Sequence, residues 1–253
     1  MLKLSIYRFL KKIFIIAILT ILILLITLGL IQKNPKNIDV NRIKIVDNIG
    51  ANYLFRGSNP YVNIYGKSIF SYHDLKRYIN QILIKEGKNS LSNFYLIDLN
   101  LLDIDAFFQI RQERDFFIKN PHLGSFKNFS EISVDLLLMP FSSLNFVNKI
   151  TDDYHAKLTK TLVEINQILA KQQSTPVVIY VHCNAGRDRT GLFFAAYRML
   201  FEKSNLSTVI QKNITEVNRN AEYLLADTIE SYCFYLQRNL PQTHGTIDCS
   251  LSK

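Results

Sequence analysis

The sequence predicts an α/β protein with a central, mostly parallel sheet flanked by helices, preceded by an N-terminal transmembrane helix. Three observations carry this. Short apolar runs alternate with longer segments of helical periodicity, the pattern of crossover connections between parallel strands. The β-branched run Val177 to Val181 feeds through a tight loop into a helix-spaced apolar run, Leu192 to Phe201. Ile13 to Ile31 holds nineteen residues without a charge, long enough to cross a hydrocarbon core as a helix.

In chain order, residues 1–36 form the membrane anchor and its flanks, and residues 37–253 the globular domain. A cleaved signal peptide is the rival reading of the apolar run. The run is long for one, and no small-x-small site follows Gly29. Residues 32–48 are polar, with Pro35 ending any helix, and read as a linker. Asn52 to Pro60 reads as a short strand with a turn at Gly57–Pro60. Ser71 caps a helix over Tyr72 to Lys85, with Leu75, Tyr78, Ile79 and Ile82 on one face and Gly87 as its stop. Phe94 to Leu99 is a strand. Asp103 or Asp105 caps a helix running through Ile118. Ile132 to Met139 is a second buried strand. Thr151 or Asp152 starts a long helix to about Lys171, with Leu158, Leu162, Ile165, Ile168 and Leu169 inward. After strand Val177 to Val181, its loop and its helix, two helices close the chain, Ser207 to Arg219 and Glu222 to Arg238.

The net charge of +9 is unevenly placed. Six of the thirty Lys and Arg, and none of the twenty-one Asp and Glu, lie in residues 1–36, so residues 37–253 carry 24 minus 21, or +3. The basic character belongs to the flanks of the apolar run, which argues for a membrane surface and against nucleic acid. Basic residues stand on both sides of the run, so charge leaves its orientation open. Three cysteines, Cys183, Cys233 and Cys249, form no disulfide framework by count. Cys233 reads as packing on a helical apolar face, and Cys249 lies in a polar tail.

The chemistry concentrates in His182–Cys183–Asn184–Ala185–Gly186–Arg187–Asp188–Arg189–Thr190–Gly191. A cysteine leads the loop and an arginine closes it. Between them backbone N–H groups can curl around an anion, and the helix start adds partial positive charge. A thiol held in that field gives up its proton readily, and an oxyanion cradle beside a thiolate suits attack on phosphorus.

These residues resemble the phosphate-binding loop of the protein tyrosine phosphatase superfamily, Cys-x5-Arg-Ser/Thr. Asp188 before the arginine makes the loop most similar to bacterial dual-specificity or lipid-active members and, more loosely, to myotubularin-type phosphoinositide phosphatases. The segment Asn52 to Pro60 also resembles the opening of many bacterial members. The resemblance implies a phosphatase catalytic domain over residues 37–253, with Cys183 as nucleophile forming a phosphocysteine. Arg189 is the fork on two phosphoryl oxygens, a task for planar donors. Backbone N–H groups of Asn184, Ala185, Gly186, Arg187 and their neighbours take the third. Gly186 permits a positive φ, Thr190 donates to the sulfur, and His182 fixes the loop. Arg187 meets further phosphates or steers any phosphate. Arg56 assists an anionic substrate or is an ion-paired strand arginine.

The leaving oxygen needs a proton. Most of the superfamily supplies an aspartate from a separate loop, but Pro140 to Asn145 holds no carboxylate. The acid is then Asp188, inside the loop, or the Asp152/Asp153 pair, which helix capping explains without chemistry. The expected protein is a membrane-anchored, single-pass phosphatase acting on phosphotyrosyl protein or phosphoinositide, without metal or cofactor. Its alternative is a pseudophosphatase that binds phosphate without turnover.

Overall fold

Val177–His182 (β7) is buried along its whole length because it runs through the middle of a sheet covered on both faces. The structure is a computed structural model. It describes residues 12, 14, 16, 17, 19, 20, 37–103, 106–129, 144–217 and 226–250, with backbone alone over 144–150. The chain divides into two compact units, Met1–Asn34 and Pro35–Lys253. In the first, the described residues are helical, with Phe14, Ile16 and Leu19 more than half exposed. Most of the apolar run Ile13 to Ile31 lies outside the described residues. Among those described, no helix is long and apolar enough to cross a membrane.

The second unit is α/β, with a mostly parallel sheet. Lys44–Ile49 (β1), Asn52–Gly57 (β2), Tyr95–Asn100 (β5), Gly124–Asn128 (β6) and β7 pair in the order β1-β2-β7-β5-β6. Only β1 and β2 are antiparallel; β2–β7, β7–β5 and β5–β6 run parallel. Tyr61–Ile64 (β3) and Lys67–Phe70 (β4) make a separate hairpin. The helices are Tyr72–Lys85 (α1), Phe107–Lys119 (α2), Leu144–Ala170 (α3), Asp188–Tyr197 (α4), Leu206–Val217 (α5), Ala226–Asn239 (α6) and Pro241–His244 (α7). A π turn, Arg198–Glu202, continues α4.

Side chains alternate along β7, so each set of residues serves one layer. Val177, Ile179 and Val181 share a core with Leu158, Leu162, Ile165 and Leu169 of α3, with α4 and with α6. Val178 and Tyr180 face the other way, into Leu75, Ile79 and Leu83 of α1 and Phe117 of α2. Each such aliphatic side chain contributes about 1.5–3 kcal/mol by burial. The buried Asn52 joins the layers. Its amide donates to the Leu169 and Lys171 carbonyls and its oxygen accepts from Val177 N–H.

Several expectations need correction. The stretch read as linker holds a helical turn, Val40–Arg42, and strand β1. The hairpin β3–β4 and strand β6 carry no clear periodicity and were not expected. The expected strand Ile132 to Met139 lies outside the described residues. Helix α2 begins at Phe107 with Ala106 at its cap position, which makes no side-chain cap bond; Asp105, the other expected cap, lies outside the described residues. Helix α3 begins at Leu144, about two turns before Thr151. Asp152 is therefore within the helix, where it pairs on the surface with Arg238 at 2.8 Å. Finally, Cys233 and Cys249 form a disulfide with Cα atoms 5.7 Å apart. Neither is a lone packing or tail cysteine; both are buried, and Cys183 is the free thiol.

Candidate active site

Strand β7 ends at His182, and Cys183 follows at the carboxyl edge of the sheet, between the ends of β2 and β5. In an open parallel sheet that edge is where ligands bind. Both neighbours hold the loop. From β5, Leu101 N–H donates to the His182 carbonyl at 2.8 Å. Beyond β2, Asn59 N–H donates to the Asn184 carbonyl at 3.2 Å and Asn59 Nδ2 to Asn184 Oδ1 at 3.0 Å.

Gly186 adopts φ +64° and packs against the chain end of β2. A Cβ there would stand 2.4 Å from the Gly57 carbonyl oxygen, so the backbone path and the close approach both require glycine. A Cβ at Gly57 would meet the Tyr180 hydroxyl, which donates to the Ser58 carbonyl at 2.6 Å. Arg56 Nη2 donates to the Gly186 carbonyl at 3.2 Å, and its Nη1 pairs with Glu216. The ion-paired reading of Arg56 therefore holds, with a loop contact added.

Helix α4 opens at Asp188, with Arg187 at the cap position. Gly191 N–H donates to the Arg187 carbonyl at 2.6 Å. Cys183 is 6% exposed, Asn184 and Ala185 are exposed, and Arg187 is partly buried. Asp188 is exposed in the first helical turn. Arg189 is partly exposed. Its Nη1 donates to the Leu101 carbonyl at 3.1 Å and lies 3.3 Å from Asp103 Oδ2. Thr190 is fully buried. Its hydroxyl has no hydrogen-bond partner among the described residues, so the expected bond to the Cys183 sulfur is not formed in this state.

Beneath the loop, His182 stands with two carboxylates, all three fully buried. His182 Nε2 is 3.0 Å from Asp98 Oδ1 and 3.5 Å from Glu113 Oε2. Burial alone pushes the imidazole down, but Glu113 and Asp98 override it and hold His182 up to about 10. Burial pushes Asp98 up to about 6 against the pull of His182. Asn100 donates to Glu113 and completes the cluster. Among the described residues these three are the group of metal-ligating type. Their arrangement, with the ring in ion-pair contact with both carboxylates, is that of an ionic lock on the residue before the nucleophile.

Three residues were missed in the sequence. Asp103 reads there as a cap, and only the pairing of β5 beside β7 brings it to Arg189. Asp98 and Glu113 read as an ordinary strand and helix residue. Their burial beside His182 has no local signal, although a carboxylate within an apolar strand was a clue. The separate-loop position Pro140 to Asn145 lies outside the described residues except for the backbone of Leu144 and Asn145.

A thiol at the end of a central parallel strand, ringed by an arginine-closed turn at a helix start, defines a class. That class is the one the loop residues resemble. The model of the tyrosine phosphatase family matches residues 100–210, which contain the whole loop, so the resemblance read from the loop residues stands. No curated protein matches the chain. Among solved structures, it is similar to the crystal structure of PTPMT1 at 14% identity and TM-score 0.39, covering 77% of this chain and 98% of that one. It is also similar to the crystal structure of P. aeruginosa TpbA at 13% identity and TM-score 0.37, covering 81% of this chain and 96% of that one.

Proposed function

We propose that the chain is a membrane-tethered, cysteine-dependent phosphomonoesterase of dual-specificity type that acts on phosphotyrosyl protein or phosphoinositide. The observation that carries this is the single turn that runs from Cys183 to Arg189, with Gly186 seated on Gly57. Cys183 sulfur attacks phosphorus, and the S–P bond forms as the ester P–O bond breaks. Arg189 leaves Asp103 and grips two phosphoryl oxygens as a fork. Asp188 gives its proton to the leaving oxygen, then takes one from the water that attacks the phosphocysteine. The S–P bond breaks, inorganic phosphate leaves, and Thr190, whose hydroxyl is uncommitted among the described residues, donates to the departing sulfur.

The tether is the apolar run Ile13 to Ile31 with its basic flanks. It holds the catalytic unit near lipid, and Arg187 at the loop rim suits polyanionic head groups. The Cys233–Cys249 disulfide supports a catalytic unit facing an oxidising compartment.

The test is an activity panel of phosphotyrosyl peptides, phosphoseryl peptides and phosphoinositides on the full chain in detergent, without metal. The expected result is turnover that Cys183→Ser abolishes while phosphate still binds, since a serine hydroxyl attacks poorly. Near-normal turnover by the serine variant would refute the phosphocysteine route. No turnover with any substrate, with phosphate still bound, would make the chain a pseudophosphatase. Recovery of the full chain in the aqueous phase without detergent would remove the tether.

A further inference from the structure

Two buried arginines beside the loop share one carboxylate. Arg56 on β2 and Arg198 in the turn after α4 have side chains 1% and 2% exposed, and both pair with Glu216 of α5. Among the described residues, two positive charges thus meet one negative, which leaves one positive charge uncompensated. The remaining partners are neutral. Arg56 donates to the Gly186 carbonyl, and Arg198 Nη1 reaches Asn213 Oδ1 at 3.5 Å. Asn213 Nδ2 in turn donates to the Gly191 carbonyl at 2.9 Å. The cluster therefore touches the loop and its helix at two backbone oxygens.

An unpaired buried charge is costly. Burial pushes the Arg56 guanidinium down from its ordinary value; Glu216 raises it, Arg198 lowers it again, and a charge on Cys183 would raise it. An anion in the loop relieves that cost. We propose that Arg56 is a positioning residue for the phosphoryl group: through Gly186 it fixes the loop, and the surplus positive charge of the Arg56–Glu216–Arg198 cluster draws an oxyanion into it. This rests on the phosphatase reading above.

The other charges facing the loop are on different elements. His182 lies beneath it with Asp98 from β5 and Glu113 from α2. Arg189 at the mouth pairs with Asp103. None of these touches Glu216 or Arg198 among the described contacts, so substitutions in the cluster alter one charge count and leave theirs alone.

The experiment measures inorganic phosphate binding to the full chain, read as protection of Cys183 from alkylation by iodoacetamide. It needs no turnover. Arg56→Gln should weaken protection and Glu216→Gln should strengthen it, each on the order of tenfold, the size of a unit charge acting over roughly 10 Å at an effective dielectric constant of about 20. A purely structural clamp would lose affinity in both variants. If Glu216→Gln does not fold by circular dichroism, Arg198→Lys and Arg198→Gln carry the same test. Arg198 makes no described contact with the loop between Cys183 and Arg189, so only the charge-removing variant should weaken binding. Like-signed or absent effects overturn the proposal. A wild-type chain that phosphate does not protect sinks the phosphatase reading with it. Protected wild type with variants that fail to diverge sinks this inference alone.

Discussion

Arg189 is held by Asp103: its Nη1 lies 3.3 Å from the carboxylate while donating to the Leu101 carbonyl at 3.1 Å. A carboxylate on the guanidinium competes with the phosphoryl group for the same donors. Asp103→Asn should therefore tighten inorganic phosphate binding, by about twofold to fivefold, for a partly exposed charge pair. The Leu101 carbonyl still holds the guanidinium, so the side chain stays in place. Competitive inhibition by phosphate measures this. Weaker inhibition in the variant would mean that Asp103 orients Arg189 more than it competes.

The acid can be assigned by leaving group. Asp188→Asn should reduce turnover more than Asp152→Asn and Asp153→Asn together, by roughly a hundredfold or more. Asp152 is committed to a surface pair with Arg238 on α6. An aryl phosphate with an acidic phenol needs little protonation and should suffer least. An inositol ring ester should suffer most. Equal losses across leaving groups would take Asp188 out of the role.

His155 makes stability fall in acid. It is buried, with Nε2 2.9 Å from the Ser231 hydroxyl. Burial pushes it down to about 4; Asp152 raises it and Arg238 lowers it again. Its folded value lies below the ordinary one near 6.5. The stability this gives is present above about pH 6.5 and is lost as pH falls through 4, an effect of about 2–3 kcal/mol. Thermal denaturation between pH 7 and pH 4 should show the slope, and His155→Gln should flatten it. An unchanged slope in the variant would place the acid sensitivity elsewhere.

The disulfide ties α6 to the segment after α7 across sixteen residues. Closing a loop of that size is worth about 3 kcal/mol. The Cys233→Ala, Cys249→Ala double variant should lower the melting temperature by several degrees. Reductant should do the same to the wild type and leave the double variant unmoved. Equal melting with and without reductant in the wild type would refute the bond.

The central part of the site was legible because its signals are local. The run Val177 to Val181 can only be a buried strand, and Gly186, Arg189 and Thr190 follow at fixed spacing. Helix α1 was legible for the same reason, with Ser71 accepting from Asp74 N–H as its spacing predicted. What was lost depends on distant approach. Asp103 meets Arg189 only because β5 lies beside β7. Cys233 meets Cys249 only once the chain turns back after α7. Strands β1 and β6 are half-exposed edges with polar residues in them, so neither alternation nor a solid apolar run marked them. Ser142 and Ser143 stand just before Leu144, where a cap signal falls, but the acidic pair further on drew the reading two turns downstream.

The place of β7 has a kinetic consequence. Val178 sits opposite Tyr53 on one side and Leu96 on the other. Both neighbours were synthesised long before it, and each pairing closes a loop of tens of residues or more. Loop closure of that span must occur before the pairings stabilise anything, so the chain belongs with slow-folding, high contact-order topologies. A nascent chain that has emerged only through α3 has two sheet halves, β1–β2 and β5–β6, with no strand between them. The last insertion joins these halves and forms the turn from Cys183 to Arg189 in the same event. A refolding experiment should therefore see phosphate protection of Cys183 appear with the slowest phase, together with the final gain in sheet signal.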